Sequence, residues 1–201
     1  MSSTMLQIPD EPFSACIFDC DGTLVDSMPL HLEAWRAALQ QHGFPPEQFT
    51  LEMHHVFAGM PGAAIVQRLN AEFGHAMSPA QVEADKVTWY MAHHANVRGI
   101  APVVEFARRM HSVVPMAVAS GSDAWIVHES LKAVGIFELF PTIITPADVK
   151  HGKPAPDMFL LAAERMGVPP EDCLVFEDGQ LGIQAAEAAG MRTVFVPAGL
   201  E

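Results

Sequence analysis

Short apolar runs alternate with helical segments through most of the chain, and this alternation constrains the fold more than any other feature. The runs predict buried strands, and the intervening segments show the 3.6-residue apolar spacing of helices that cover a sheet. A chain organised in this way forms a parallel sheet with helices on both faces. The predicted strands are 14–19, 115–119, 142–145, 173–176 and 193–196, and the associated helices are 102–111, 123–134, 157–166 and 180–189.

The segment 28–97 interrupts this alternation, because it contains helical patterns and no strand pattern. Its last predicted helix has a plausible N-cap at Ser78 and a proline at the first helical position. The sequence therefore predicts an α/β core with a Rossmann-like parallel sheet, formed by 1–27 and 98–201, and an inserted all-helical cap, 28–97. The helices predicted in the cap are 29–42, 51–57, 63–73 and 78–94.

Polar and charged residues follow four of the five predicted strands. Ligands of open parallel sheets bind beyond the carboxyl ends of the strands, so these residues should share one crevice. Carboxylates, a hydroxyl and an ammonium suit phosphoryl transfer: one carboxylate attacks phosphorus, a second exchanges protons, and others bind Mg²⁺. The polar segments are 19–23, 119–123, 150–154 and 177–179.

These segments carry four motifs, which read FDCDGTLVDS, AVASGS, HGKPAPD and VFEDGQLGI. In this order they resemble the four motifs of the haloacid dehalogenase-like (HAD) hydrolase superfamily, and the resemblance covers nearly the whole chain. The insert after the first motif is similar to the subfamily that contains β-phosphoglucomutase and small sugar phosphatases. Within that branch, the chain is most similar to bacterial phosphatases that act on fructose-1-phosphate and 6-phosphogluconate. The resemblance implies the HAD fold and a phosphoric monoester hydrolase.

The resemblance also implies roles for individual acidic residues. Asp19 would be the nucleophile that forms an aspartyl-phosphate, and Asp21 would be the general acid and base. Mg²⁺ would be bound by Asp19, the backbone carbonyl of Asp21, Asp178 and Glu177. Cys20 lies between the two aspartates, and its side chain should point the opposite way along an extended strand, which predicts a packing role.

Phosphate binding is assigned by the same resemblance to Ser120, Gly121 and Lys153. Ser120 can also cap the following helix, and the two roles are compatible. Substrate contacts in the cap are assigned to His31, Lys86 and Gly59. Helical periodicity alone would make His31 an ordinary surface or packed histidine, whereas the resemblance would have it orient Asp21. Periodicity alone would likewise make Lys86 a lysine of a solvated face, so both interpretations stay open for these two residues.

The cap loop 58–63 reads AGMPGA and contains no arginine. In β-phosphoglucomutase an arginine of the corresponding loop binds the second phosphate of the bisphosphate intermediate. Its absence favours a phosphatase for a small sugar, sugar-acid or polyol phosphate, with a sugar phosphomutase as the alternative. A dehalogenase is disfavoured, because that branch lacks the second aspartate of the DxD motif.

The formal net charge is −13, which excludes a partner such as nucleic acid or anionic lipid held by general electrostatics. Asp19, Asp21, Glu177 and Asp178 with Lys153 would leave an excess of three negative charges in the crevice. A phosphorylated metabolite can bind there only with a cation, so the composition supports a strict Mg²⁺ requirement.

The remaining expectations concern location and assembly. Three cysteines are too few for a disulfide framework and indicate a reducing cytoplasm, and no apolar run approaches the length of a membrane span. The segment 1–12 does not resemble a signal peptide. Most of the ten histidines should be surface or packing residues. The sequence does not determine the oligomeric state, and a monomer is the expectation.

Overall fold

A computed structural model describes residues 6–57 and 60–200 of the chain. Contacts divide the protein into two compact units. We call Met1–Asp26 with Val97–Glu201 the core unit, and Ser27–Asn96 the helical unit. None of the helices within the described residues is long and apolar enough to cross a membrane.

Five strands, eight α-helices and five short 3₁₀-helices make up the regular structure of the described residues. The strands are β1 Ala15–Phe18, β2 Met116–Ala119, β3 Thr142–Ile144, β4 Cys173–Glu177 and β5 Arg192–Phe195. The helices are α1 Met28–Gln41, α2 Leu51–Phe57, α3 Gly62–Phe73, α4 Pro79–His93, α5 Ala101–Met110, α6 Ala124–Val134, α7 Asp157–Met166 and α8 Gln180–Ala188.

The five strands form one parallel sheet in the order β3-β2-β1-β4-β5. The chain builds outward from β1 to β3 on one side and then returns to place β4 and β5 on the other. The strand order therefore reverses between β1 and β4, which is where ligands bind in folds of this kind. The predicted α/β class and parallel sheet are confirmed.

Strand β1 is buried on both faces, which explains why its sequence is continuously apolar rather than alternating. Cys16 and Phe18 belong to one apolar cluster, and Ile17 belongs to the cluster on the opposite face. The ring of Phe18 stacks on that of Phe176 with a centroid separation of 4.6 Å. This contact joins the last residue of β1 to the penultimate residue of β4.

The register of the strands brings their polar extensions to one edge of the sheet. Phe18 is paired with both Val118 and Phe176, so β1, β2 and β4 end at nearly the same level. The backbone N–H of Asp19 donates to the carbonyl of Phe176 at 3.0 Å, and that of Ser120 donates to Ile144 at 3.0 Å. The first polar residues after β1 and β2 are therefore held by backbone hydrogen bonds that continue the sheet.

The helical unit has a core of its own, which includes Trp35, Phe44 and Phe49. Helices α1 and α4 pack together, and the ring of His31 stacks on that of Tyr90 at a centroid distance of 4.3 Å.

The two histidines of the doublet at 54–55 have different environments. His54 is only 5% exposed, and its Nδ1 atom is buried without a hydrogen-bond partner among the described residues, whereas His55 is exposed. Burial, together with the positive charges of neighbouring groups such as His31, lowers the pKa of His54 from its ordinary value of 6.5 to about 3. The folded helical unit therefore holds His54 in its neutral form.

This difference predicts that replacing His54 removes a pH-dependent destabilisation. Below pH 6.5 His54 takes up a proton in the unfolded chain, but in the folded chain it stays neutral down to about pH 3. The free energy of unfolding therefore falls as the pH falls through this range. When the pH is lowered from 8 to 5, the free energy of unfolding of His54→Met should rise by about 2 kcal/mol relative to that of the wild type. Denaturant unfolding at both values tests this, with His55→Met as the control. Parallel pH dependences of the wild type and His54→Met would contradict it.

Candidate active site

Lys153 connects the two central strands of the sheet through buried ion pairs. Its Nζ atom donates to Oδ1 of Asp19 at 2.6 Å and also contacts Oε1 of Glu177. Asp19 follows β1, Glu177 ends β4, and all three side chains are almost completely buried. The ammonium therefore lies at the place where the strand order reverses.

Asp178, the residue after β4, faces the loop that follows β1. The hydroxyl of Thr23 donates to Oδ1 of Asp178 at 3.1 Å. Gly22 has a positive φ of 89°, and a Cβ atom there would collide with the Asp178 carboxylate. Glycine at this position meets both demands, since it has no Cβ and adopts positive φ readily.

Glu177 is held by the first turn of α8. The backbone N–H of Gly179 donates to its Oε2 atom at 2.8 Å. A Cβ atom at Gly182 would overlap the carboxylate of Glu177, so this glycine allows the helix to approach it closely. The orientation of Glu177 thus depends on the backbone of α8 as well as on Lys153.

Asp19, Glu177 and Asp178 form an acidic cluster that fits a divalent cation. One carboxylate oxygen from each lies within 4.8 Å of the others. Carboxylate oxygens are the ligands that hard cations such as Mg²⁺ prefer. The three side chains come from two separate segments that the sheet holds in register, which is a suitable frame for coordination.

Burial and mutual repulsion raise the pKa values of two carboxyl groups of the cluster. Burial, together with the charges of Glu177, Asp178 and Asp21, raises the pKa of Asp19 despite the opposing effect of Lys153. Burial and the charge of Glu177 likewise raise the pKa of Asp178 to about 7. Crowded carboxylates of this kind gain stability from additional positive charge, which agrees with the donor set of a cation site.

Lys153 remains protonated in this environment. Burial by itself would lower the pKa of its ammonium, but the charges and hydrogen bonds of Asp19 and Glu177 outweigh that effect and raise the pKa. The lysine is therefore a fixed positive charge at the centre of the site.

The loop after β2 approaches the second aspartate of the first motif. The hydroxyl of Ser122 donates to Oδ2 of Asp21 at 2.6 Å, and the backbone N–H of Ser122 donates to Oγ of Ser120 at 3.1 Å. Ser120 is buried, and Gly121 is exposed between the two serines. The structure thus places Asp21 beside the predicted phosphate-binding loop.

Cys20 lies between Asp19 and Asp21 in sequence but belongs to the apolar cluster on one face of the sheet. Burial raises the pKa of its thiol well above the ordinary value. A buried neutral thiol is a packing group, not a nucleophile.

The predicted contacts of the cap lie in the helical unit. The Nζ atom of Lys86 lies 5.5 Å from the ring centroid of Tyr90 and 5.7 Å from that of Trp35. His31 is buried against Tyr90. Gly59 lies outside the described residues. The substrate-binding roles of His31, Lys86 and Gly59 stay predictions.

Comparison with known proteins decides the family. The family model for haloacid dehalogenase-like hydrolases matches residues 13–190. The chain is 37% identical over 187 residues to the fructose-1-phosphate phosphatase YqaB of Escherichia coli K12, covering 92% of this chain and 97% of that protein. This chain belongs to the haloacid dehalogenase-like hydrolases.

Solved structures share the fold of this HAD-like hydrolase. A hydrolase from Pseudomonas syringae is 27% identical with a TM-score of 0.79, covering 90% of this chain and 83% of that one. A HAD family hydrolase from Deinococcus radiodurans R1, crystallised with bound phosphate and sodium, is 31% identical with a TM-score of 0.69. The match covers 92% of this chain and 80% of that one.

Three contributors to the site of this hydrolase were not predicted from the sequence. Thr23 and Ser122 lie inside the quoted motifs, but a hydroxyl in a motif does not reveal which carboxylate it contacts. Gly182 also lies in a motif, and its contact with Glu177 depends on how closely α8 approaches β4. The sequence signal was the position of Thr23 and Ser122 in polar segments after strands and of Gly182 in the fourth motif, which identifies a region and not a partner.

The buried ion pairs predict a large stability cost for removing Lys153. Lys153→Met leaves Asp19 and Glu177 buried without their cation, and should lower the free energy of unfolding by about 3–5 kcal/mol. Lys150→Met is the matched control, because Lys150 is an exposed lysine of the same loop and its loss should change stability by no more than about 0.5 kcal/mol. Denaturant unfolding without added metal measures both variants. Equal stability of the two variants would contradict this account of the ion pairs.

Proposed function

We propose that this hydrolase is a phosphatase that removes phosphate from a small sugar, sugar-acid or polyol phosphate through an aspartyl-phosphate. The observation that carries the proposal is the contact of Asp19 with Lys153 beside the carboxylates of Glu177 and Asp178. A carboxylate held next to a fixed ammonium can attack phosphorus while positive charge stabilises the equatorial oxygens.

The first step transfers the phosphoryl group to Asp19. An oxygen of its carboxylate forms a bond to phosphorus, and the bond from phosphorus to the sugar oxygen breaks. Asp21 gives its proton to the departing oxygen, so the sugar leaves as a neutral alcohol. Lys153 and the loop at Ser120 and Gly121 bind the remaining phosphate oxygens.

The second step returns the enzyme to its starting state. A water molecule attacks the phosphorus of the aspartyl-phosphate and gives a proton to Asp21, now acting as base. The bond between Asp19 and phosphorus breaks, and inorganic phosphate leaves. Asp21 has regained the proton that it lost in the first step.

Asp19, Glu177 and Asp178, with the backbone carbonyl of Asp21, are the groups that we propose to hold Mg²⁺. When bound, Mg²⁺ would supply Lewis-acid stabilisation of the phosphoryl charge and offset the carboxylates that otherwise repel a phosphate dianion. The raised pKa values of Asp19 and Asp178 are consistent with this assignment, because buried carboxylates that also repel one another are stabilised by a bound cation.

The choice of substrate class rests on relatives and on the cap sequence. The Escherichia coli relative acts on fructose-1-phosphate, according to its name, and its match extends over 97% of its length. The loop at 58–63 lacks the arginine expected of a phosphomutase, which supports transfer to water. The proposal includes the helical unit as a cap, with His31, Lys86 and Gly59 as substrate contacts.

Location and assembly are part of the same proposal. All three cysteines are free and buried, which supports a reducing cytoplasm. The net charge of −13 supports the absence of a nucleic-acid or lipid partner. We propose a monomer that acts on a phosphorylated small molecule.

The nucleophile is tested by Asp19→Asn. The wild-type protein with Mg²⁺ should release inorganic phosphate from fructose-1-phosphate and p-nitrophenyl phosphate, and the variant should lose about 10³-fold or more of this activity. Asp26→Asn, a change to an exposed aspartate of the same unit, should keep it. Wild-type-like turnover by Asp19→Asn would exclude the mechanism. Conversion of β-glucose-1-phosphate mainly to glucose-6-phosphate would identify a phosphomutase instead.

The metal site is tested by removing and restoring the ion. Chelation should abolish activity, and Mg²⁺ should restore it. Thr23→Val removes the hydroxyl that orients Asp178, so it should raise the Mg²⁺ concentration for half-maximal activity about 10-fold, while kcat at saturating Mg²⁺ changes little. Thr88→Val, a change to an exposed threonine of the helical unit, is the control. Full activity after chelation would disprove the metal requirement.

A further inference from the structure

Ser122 makes a short hydrogen bond to the residue proposed as general acid and base. Its hydroxyl donates to Oδ2 of Asp21 at 2.6 Å, across a sequence separation of 101 residues. Both residues are only partly exposed. This distance lies at the short end of the range for O–H···O hydrogen bonds, so the contact can restrict rotation of the Asp21 carboxyl group.

The hydroxyl of Ser122 is itself held in place by the loop around it. The backbone N–H of Ser122 donates to Oγ of Ser120, and the backbone N–H of Ser120 is bonded to Ile144 of β3. Asp123 is extended and begins α6 immediately afterwards. Ser122 is therefore anchored between the sheet and a helix, and can fix the side chain that it contacts.

We propose that Ser122 is a positioning residue that sets the orientation of the Asp21 carboxyl group for proton transfer. The inference rests on the proposed function, in which Asp21 protonates the leaving oxygen. Because Oδ2 accepts the serine hydroxyl, the proton that Asp21 delivers is carried by Oδ1. Ser122 keeps its own proton in both steps and makes no bond to the substrate.

Orientation matters because proton transfer requires the acid to lie within hydrogen-bond distance of the leaving oxygen. A carboxyl group that rotates freely spends part of its time with the acidic oxygen turned away. Ser122 removes that freedom on one side, while its link to Ser120 ties the orientation of Asp21 to the phosphate-binding loop. The two aspartates of the first motif then have separate anchors, Lys153 for Asp19 and Ser122 for Asp21.

The test compares two substrates of similar size that differ in their need for acid catalysis. p-Nitrophenolate leaves readily without a proton, whereas phenolate from phenyl phosphate is a poorer leaving group. Ser122→Ala should raise the ratio of kcat/KM for p-nitrophenyl phosphate to kcat/KM for phenyl phosphate by about 10-fold. The value of kcat/KM reports the first step, in which only the departure of the poorer leaving group depends on the proton of Asp21. Ser122→Thr keeps a hydroxyl and should restore the wild-type ratio.

Ser130→Ala is the matched control, since Ser130 is a buried serine of the following helix in the same unit. It should leave the ratio unchanged whatever its effect on stability. If Ser122→Ala does not fold, as judged by circular dichroism, the same comparison is made with Ser122→Cys, whose thiol is a weaker donor.

A double-mutant cycle separates an effect through Asp21 from a general one. In the Asp21→Asn background, Ser122→Ala should cause no further change in kcat/KM for phenyl phosphate. If Ser122→Ala lowers kcat/KM equally for both substrates, or by the same factor with and without Asp21, the positioning role is overturned. Either result would leave the proposed phosphatase activity standing. Failure of the wild type to hydrolyse either substrate would overturn the proposed function and this inference together.

Discussion

The buried ammonium of Lys153 between Asp19 and Glu177 is the interaction on which the rest of the site depends. It joins side chains at the ends of the two central strands, where carboxylates would otherwise repel one another in a region from which water is excluded. One lysine does not neutralise Asp19, Glu177 and Asp178 together, and burial, with a further contribution from mutual repulsion, raises the pKa values of Asp19 and Asp178. The same arrangement therefore holds the strand ends together and makes the site receptive to a cation.

The sheet and the loops contribute to this site in different ways. The sheet sets the level at which Asp19 and Glu177 emerge, through the register of β1 and β4 and the stacking of Phe18 on Phe176. The loops then supply small residues and hydroxyls, such as Gly22 and Thr23, that fit around the carboxylates. A rigid sheet with adaptable loops holds the charged groups close together. Burying these charges costs free energy, and the burial of the apolar strands offsets that cost.

Much of the core unit could be predicted because a strand that is buried on both faces has a continuously apolar sequence. A strand such as β1 must be apolar throughout, and the polar residues that follow it are conspicuous. The four motifs predicted Asp19 and Lys153 as site residues, and the structure brings these two side chains into contact. His54 shows where such reasoning stops: both histidines of the doublet read alike in sequence, yet one is buried and the other exposed. Which side of α2 faces the core of its unit depends on packing with distant helices.

The sequence by itself determined the α/β class, the order of strands and helices, and the set of charged residues available at the strand ends, because these follow from local periodicity and motif spacing. Only the tertiary structure decided which of those residues touch. Lys153 contacts Asp19 across 134 residues, and Ser122 contacts Asp21 across 101. Contacts at such separations depend on strand order, register and the close approach of helices, and these are properties of the folded chain as a whole.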